Sequence, residues 1–239
     1  VRPSMLKTRD TWSGWPVLTV DPKLQTLITA APIRVYTKDN KPSDLTNLMF
    51  LGSQQQLIAA FNEAGWFEAD SLSMGSAMKT IGATIRSAGY TQAPVSLLTV
   101  NGRAPDLVFQ KSLDTFAKRH HIRIWKEPGT WNGREVWMGA ATHDIDISKA
   151  RANTKWGHRI DPHVDREREW IETDLLYAGT ATAYARVDRP HIPKTTANAT
   201  GDVITTDGQL SVLQLGTTKP NIINPPNPTL QTRPTASSQ

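Results

Sequence analysis

Residues 119–125, RHHIRIW, alternate strictly in character, and this run constrains the fold more than any other stretch of the chain. Successive side chains on a strand point to opposite faces, so His120, Ile122 and Ile124 share one face and His121, Arg123 and Trp125 share the other. Asn132-Gly133 follows, a dipeptide that tolerates the left-handed backbone of a tight hairpin turn, and Arg134–Ala141 (REVWMGAA) supplies a strand that can pair back. The small residues Gly139, Ala140 and Ala141 let a neighbour approach closely. An antiparallel ribbon with one mixed polar and aromatic face is therefore built into the middle of the chain.

The flanks place helices and further strands around this ribbon. Ala31–Tyr36 and Asn47–Leu51 read as short strands separated by the turn-rich KDNKPSD, after an aromatic, irregular entry through Trp12, Trp15 and Pro16. Ser53 with Gln56 forms a capping box, Leu57, Phe61 and Ala64 repeat on one face, and Gly65 ends that helix. A second helix is predicted from Ser73 to Ser87. Asn101-Gly102, between SLLTV and DLVFQ, predicts another hairpin, bulged or lengthened by Arg103–Pro105. Asp161 as N-cap and Pro162 at the first position open a last helix, one face of which carries Val164, Arg168, Ile171 and Leu175 and which stops at Gly179. Its dense charges, Asp165 with Arg168 among them, predict an ion-pair lattice.

Composition shifts after Arg189. Seven of the 16 prolines lie from Pro190 onward, among many Thr and Asn, so residues 190–239 are expected to form an extended tail beside a domain of residues 1–189. Within it, Val203–Leu215 carries Asp207-Gly208 between apolar runs and predicts a hairpin that adds to a sheet of this chain or of a neighbour. The expected fold class is α+β: a mainly antiparallel mixed sheet with about three packed helices and an extended C-terminal arm.

Several function classes drop away. Cysteine is absent, which removes disulfides, thiolate metal sites and cysteine nucleophiles. A formal charge of +5 is too mild to be a nucleic-acid footprint, and no apolar run approaches the length of a membrane span. Opening at Val1 without a leader, the chain is expected to be a processed or trimmed product. GxSxG, GxxxxGK[ST], GxGxxG and HExxH are all missing.

Five of the six histidines fall between His120 and His163, interleaved with Asp144, Asp146, Asp161 and Asp165. Imidazoles and carboxylates ligate zinc, manganese or iron, and they move protons near neutral pH. The candidate catalytic residues are His121, Asp161 and Asp165, and the candidate metal ligands are His121, Asp146 and His158. Arg103, Arg123, His158 and Arg168 are the candidate anion or ligand contacts, joined by the amides that open the last helix. All of this requires the His121/Arg123 face to look toward the acid-rich start of that helix. The bland alternative is that the same groups satisfy one another, with Arg123 paired to Asp146 or Asp165. No cofactor is expected beyond a divalent metal at this cluster.

The ordered set NLMFLGSQQQLIAAFNEAGWFEAD, APVSLLTVNGRAPDLVFQ, RHHIRIW, NGREVWMGAATHDIDI and HRIDPHVDRERE resembles the LssY C-terminal domain family over about Trp15 to Ala178. Its GR-x-x-D-L-x-F-Q, R-H-H-x-R-x-W and I-D-P-x-x-D-x-E-R elements stand here in order. The resemblance implies an extracytoplasmic setting in the bacterial envelope or outside the cell. It supplies no reaction, since the family has no established molecular activity. Two function classes follow as expectations. One is a binding or assembly module whose tail contacts a second copy, another envelope protein, or an anionic small molecule or lipid headgroup. The other is a hydrolase or phosphate-binding domain acting on an envelope ester through a His/Arg/Asp pocket.

Overall fold

A computed structural model describes residues 15–69, 98–115, 118–149 and 156–216, and the side chains among them outside 112–118 and 146–158. The helix expected over Ser73–Ser87 lies outside the described residues. Among the described residues are three helices, α1 (Pro22–Ala30), α2 (Gln54–Glu63) and α3 (Val164–Tyr177). The strands are β1 (Arg34–Thr37), β2 (Pro42–Leu45), β3 (Leu48–Leu51), β4 (Phe67–Glu68), β5 (Leu98–Thr99), β6 (Leu107–Thr115), β7 (Lys118–Trp131), β8 (Arg134–Lys149), β9 (Trp156–Ile160), β10 (Ala181–Asp188), β11 (Thr195–Ala197), β12 (Val203–Thr205) and β13 (Gln209–Leu215).

An eight-stranded sheet runs β10-β13-β3-β8-β7-β6-β4, with β9 also paired to β8. Its pairings are antiparallel except β13 with β3, which is parallel. The fold is thus α+β with a mainly antiparallel mixed sheet. Both faces are covered. Leu48, Phe50, Ile122, Ile124, Trp137 and Leu213 pack with α2 and α3, while Met49, Leu51, Val136, Met138 and Val212 pack with α1. Such double coverage explains why every residue of β3 is buried. A three-stranded sheet β2-β1-β5 covers the α1 side farther along, where Val35, Leu98 and Val100 meet Trp125 and Ala140. Gly139 belongs to the opposite, α2/α3 side, where a Cβ would come within 2.8 Å of Ile122 and 3.2 Å of Phe50.

Local chemistry accounts for the element ends. Ser53 and Gln56 form the reciprocal capping box, and Asn132 and Gly133 take φ of 48° and 75° in the β7–β8 turn. Asn101-Gly102 forms a similar tight turn, but its flanks separate: β5 pairs with β1, and β6 pairs with β7 and β4. Asp21 caps α1 with Pro22 at its start, a helix signature in the segment read above as irregular. At the last helix Asp161 accepts the His163 N–H, so α3 begins two residues later than expected, at Val164.

The segment after Arg189 adds a strand to a sheet of this chain as expected, but the hairpin across Asp207-Gly208 does not form. β12 pairs with β11, and β13 inserts between β10 and β3 in the main sheet. Leu210, Val212, Leu213 and Leu215 are fully buried there, so residues 209–215 complete the core instead of leaving it. Residues 217–239 lie outside the described part.

Helix α3 is bolted to the sheet by charge. Arg186 on β10 reaches Glu172 at 3.1 Å, and the Ser211 hydroxyl donates to the same carboxylate at 2.6 Å. Arg168 grips Asp207 through two bonds of 2.8 Å and also donates to the Gln209 carbonyl. Arg186→Ala would strand Glu172, which is 0% exposed, and is expected to destabilise the fold by about 3–5 kcal/mol, read from urea unfolding.

Candidate functional site

The two faces of β7 meet different partners, and this decides which polar residues can act together. His120, Ile122 and Ile124 face α3, because Ile122 and Ile124 share a core with Ile171 and Leu175. His121, Arg123 and Trp125 face the other way, toward β2-β1-β5. The expected meeting of His121 and Arg123 with the start of α3 therefore does not occur: the sheet stands between them. Adjacent strand residues cannot share a face, and the helix packs on the apolar side of the ribbon.

On the α3 side, His120 Nδ1 lies 2.7 Å from Glu167 Oε2. The His143 ring, directly across the β7–β8 ladder, stacks on His120 at 4.2 Å, and Trp170 stacks on the opposite side at 4.6 Å. Trp66 stands edge-on to His120 at 6.4 Å. Glu167 is 3% exposed, and its other oxygen, Oε1, is buried with no hydrogen-bond partner among the described residues. Burial pushes the Glu167 carboxyl above its ordinary range, against the pull of the His120 contact. One ligand atom from each of His120, His143 and Glu167 lies within 4.8 Å of the others, so the cluster could hold a metal ion. His143 is half-buried and Trp170 is 39% exposed, which puts solvent within reach of one side.

On the opposite face, the contact His121 Nε2···Thr142 Oγ1 measures 2.8 Å, and His121 Nδ1 is 3.7 Å from Asp144. Burial pushes the Asp144 carboxyl up to about 7, opposed by Arg119 and Arg123. Asp44 on β2 is raised as well, first by burial, with Arg123 and the Asn198 hydrogen bond opposing. This is a charge-compensated layer between two sheets. Thr142 is 1% exposed, so its hydroxyl is closed to a substrate.

The remaining candidates scatter. Asp161 accepts from the His163 amide and sits 3.6 Å from Arg166, while its own N–H donates to the His143 carbonyl. Asp165 accepts from the Thr206 hydroxyl and the Asp207 amide. Arg168 is spent on Asp207, Asp165 and Gln209. Asp146 and His158 pair through their backbones with Arg159 and Ile147, and their side chains lie outside the described part. Arg103 lines a separate groove with Glu127 and Lys126. Sequence reasoning missed His120, His143 and Glu167 as one cluster. The available signal was Pro128-Gly129 inside β7, where a bulge changes which residue of β8 stands opposite His120.

Asp44 sets a pH dependence. Its folded pKa lies above the reference value of 3.8, so the native state holds more protons than the unfolded chain over that interval, and stability falls as pH rises through it. Asp44→Asn keeps the shape and removes the titration. Urea midpoints from about pH 3 to about pH 8 are expected to show the variant gaining on the parent as pH rises.

Neither the curated proteins nor the solved structures compared with the chain give a match. The family described as LssY C-terminus matches residues 28–210, which run from the end of α1 to the first two residues of β13 and so include both polar faces of the ribbon. By that match, the chain belongs to the LssY C-terminus family.

Proposed function

We propose that this domain is a divalent-metal-dependent hydrolase of an envelope ester, working outside the cytoplasm, with His120, His143 and Glu167 as metal ligands. The observation that carries the reading is Glu167 Oε1: a carboxylate oxygen buried without a donor beside two imidazoles is electron density offered to a cation. Two imidazoles and one carboxylate form the donor set that catalytic zinc uses while leaving a position for water, whose pKa the metal lowers toward neutrality. His120 is held on both ring faces and at Nδ1, so it is the fixed ligand. The His143 ring lies 11° from parallel to it, so converging their lone pairs requires the half-buried His143 to turn. Trp170 and Trp66 limit water around the cluster. The extracytoplasmic setting rests on the family resemblance.

Zinc-loaded and dialysed parent protein is expected to retain about one equivalent of metal, with Glu167→Gln and His143→Ala each binding at least about tenfold more weakly while their circular dichroism is unchanged. Hydrolysis of simple phosphate and carboxylic esters should then require the metal and disappear in both variants. Parent protein that retains no zinc, or variants that load like the parent, would overturn the reading.

A second reading is favoured by the ring stack itself. Trp170, His120 and His143 with Glu167 clamp α3 to the ribbon without any ion, as in a noncatalytic binding or assembly module whose residues 217–239 contact a second copy or another envelope protein. Under it, truncation after Gly216 lowers self-association in sedimentation velocity, and Glu167→Gln costs stability but no activity.

A further inference from the structure

We infer that the groove between the Asn101-Gly102 turn and the bulge of β7 binds a small zwitterion, its primary ammonium on Glu127 and its anionic group on Arg103. The groove lies at the other end of β7 from His120. Seven residues separate Glu127 from His120, on the order of 20 Å of extended chain, so this site is independent of the metal reading.

Two backbone devices open it. Pro128 and Gly129 stand as extra residues between the pairs Glu127–Val136 and Thr130–Glu135, with Gly129 at φ 92°. Asn101 and Gly102 bring the chain round tightly enough that Val100 and Arg103 exchange both backbone hydrogen bonds. Between them lies a cavity of about 610 Å³, large enough for a metabolite-sized molecule, lined by Arg103, Asp106, Lys126, Glu127, Thr130 and Glu135 among others. Its rim is preorganised. Trp125 Nε1 donates to the Arg103 carbonyl at 3.0 Å, Arg103 Nη2 donates to the Lys126 carbonyl at 2.8 Å, and the Lys126 amide donates to Asp106 at 2.7 Å.

Charge within the groove is layered. The Glu127 side chain is 11% exposed, against 48% for Arg103, 41% for Asp106 and 47% for Lys126. Glu127 Oε1 is buried with no hydrogen-bond partner among the described residues, and its ion-pair partner Arg103 Nη2 stands 3.9 Å away, beyond hydrogen-bonding distance. A buried carboxylate oxygen without a donor is costly, and an ammonium is the ligand group that supplies both the donor and the charge. Lys126 is committed to Glu135. Arg103 is not tightly held by carboxylates, since its ion pairs stretch to 3.9 and 4.0 Å, so its guanidinium is the rim group that can take an anion.

Calorimetric titration of the full chain with O-phosphoethanolamine tests the site. Saturable binding is expected, with ethylamine and methyl phosphate each at least about tenfold weaker, because each half-ligand meets only one of the two charges. Glu127→Gln and Arg103→Met should each weaken binding at least about tenfold with circular dichroism unchanged. β-Alanine in place of O-phosphoethanolamine shows whether carboxylate or phosphate is preferred on Arg103, either result supporting the site. Absence of saturation by both zwitterions would overturn it, as would methyl phosphate binding as well as O-phosphoethanolamine. The half-ligand comparison uses the parent protein alone, so the test survives a variant that fails to fold.

Discussion

A row of buried and half-buried charges on one helix holds this domain together. Along α3, Glu167 meets His120 on β7, Arg168 meets Asp207 before β13, Glu172 meets Arg186 on β10, and Asp174 meets Lys111 on β6 and the Trp66 indole. Apolar packing through Ile171, Leu175 and Leu176 supplies the burial, and it is non-directional. The charges are not: each is costly unless its own partner arrives at the right distance, so together they set the helix in one position on the sheet. Partners come from segments far apart in sequence, from Trp66 to Asp207.

That position is what presents Glu167 to the two histidines. The sheet is covered on both sides, so each face of the β7–β8 ribbon has its own separate chemistry. Toward α3 lie two imidazoles, a carboxylate and two indoles. Toward β2 lie Arg119, Arg123, His121, Asp144 and Asp44 in a layer whose charges compensate. The groove at Glu127 is a third environment, and it exists because two extra residues interrupt the same strand.

Much of this was legible. Alternation in RHHIRIW assigned each side chain to the correct face, Ser53 and Gln56 announced α2, and Asn132-Gly133 announced the hairpin, because these signals are local and act through the backbone of the residues that carry them. Asn101-Gly102 shows the limit of such signals. The turn forms as its residues require, yet its flanks join different sheets, since a turn sets the geometry of four residues and not the partners of the strands beyond. The Pro/Thr/Asn-rich segment after Arg189 was legible in part: its strand joins a sheet of this chain as read, without the hairpin. Its composition resembles a tail, but seven residues within it, 209–215, find a slot between two strands already in place.

What the sequence determined by itself was the set of faces, caps and turns, all fixed by interactions between residues within a few positions of one another. Only the tertiary structure decided which faces met. Continuing the register of Thr130 and Glu135 would set His120 opposite Ile145; the two bulge residues shift the ladder and put His143 there instead, without changing the face. Which side α3 then covered followed from where Glu167, Arg168, Glu172 and Asp174 could all find partners at once. That is a condition on three dimensions, to which no local stretch of chain has access.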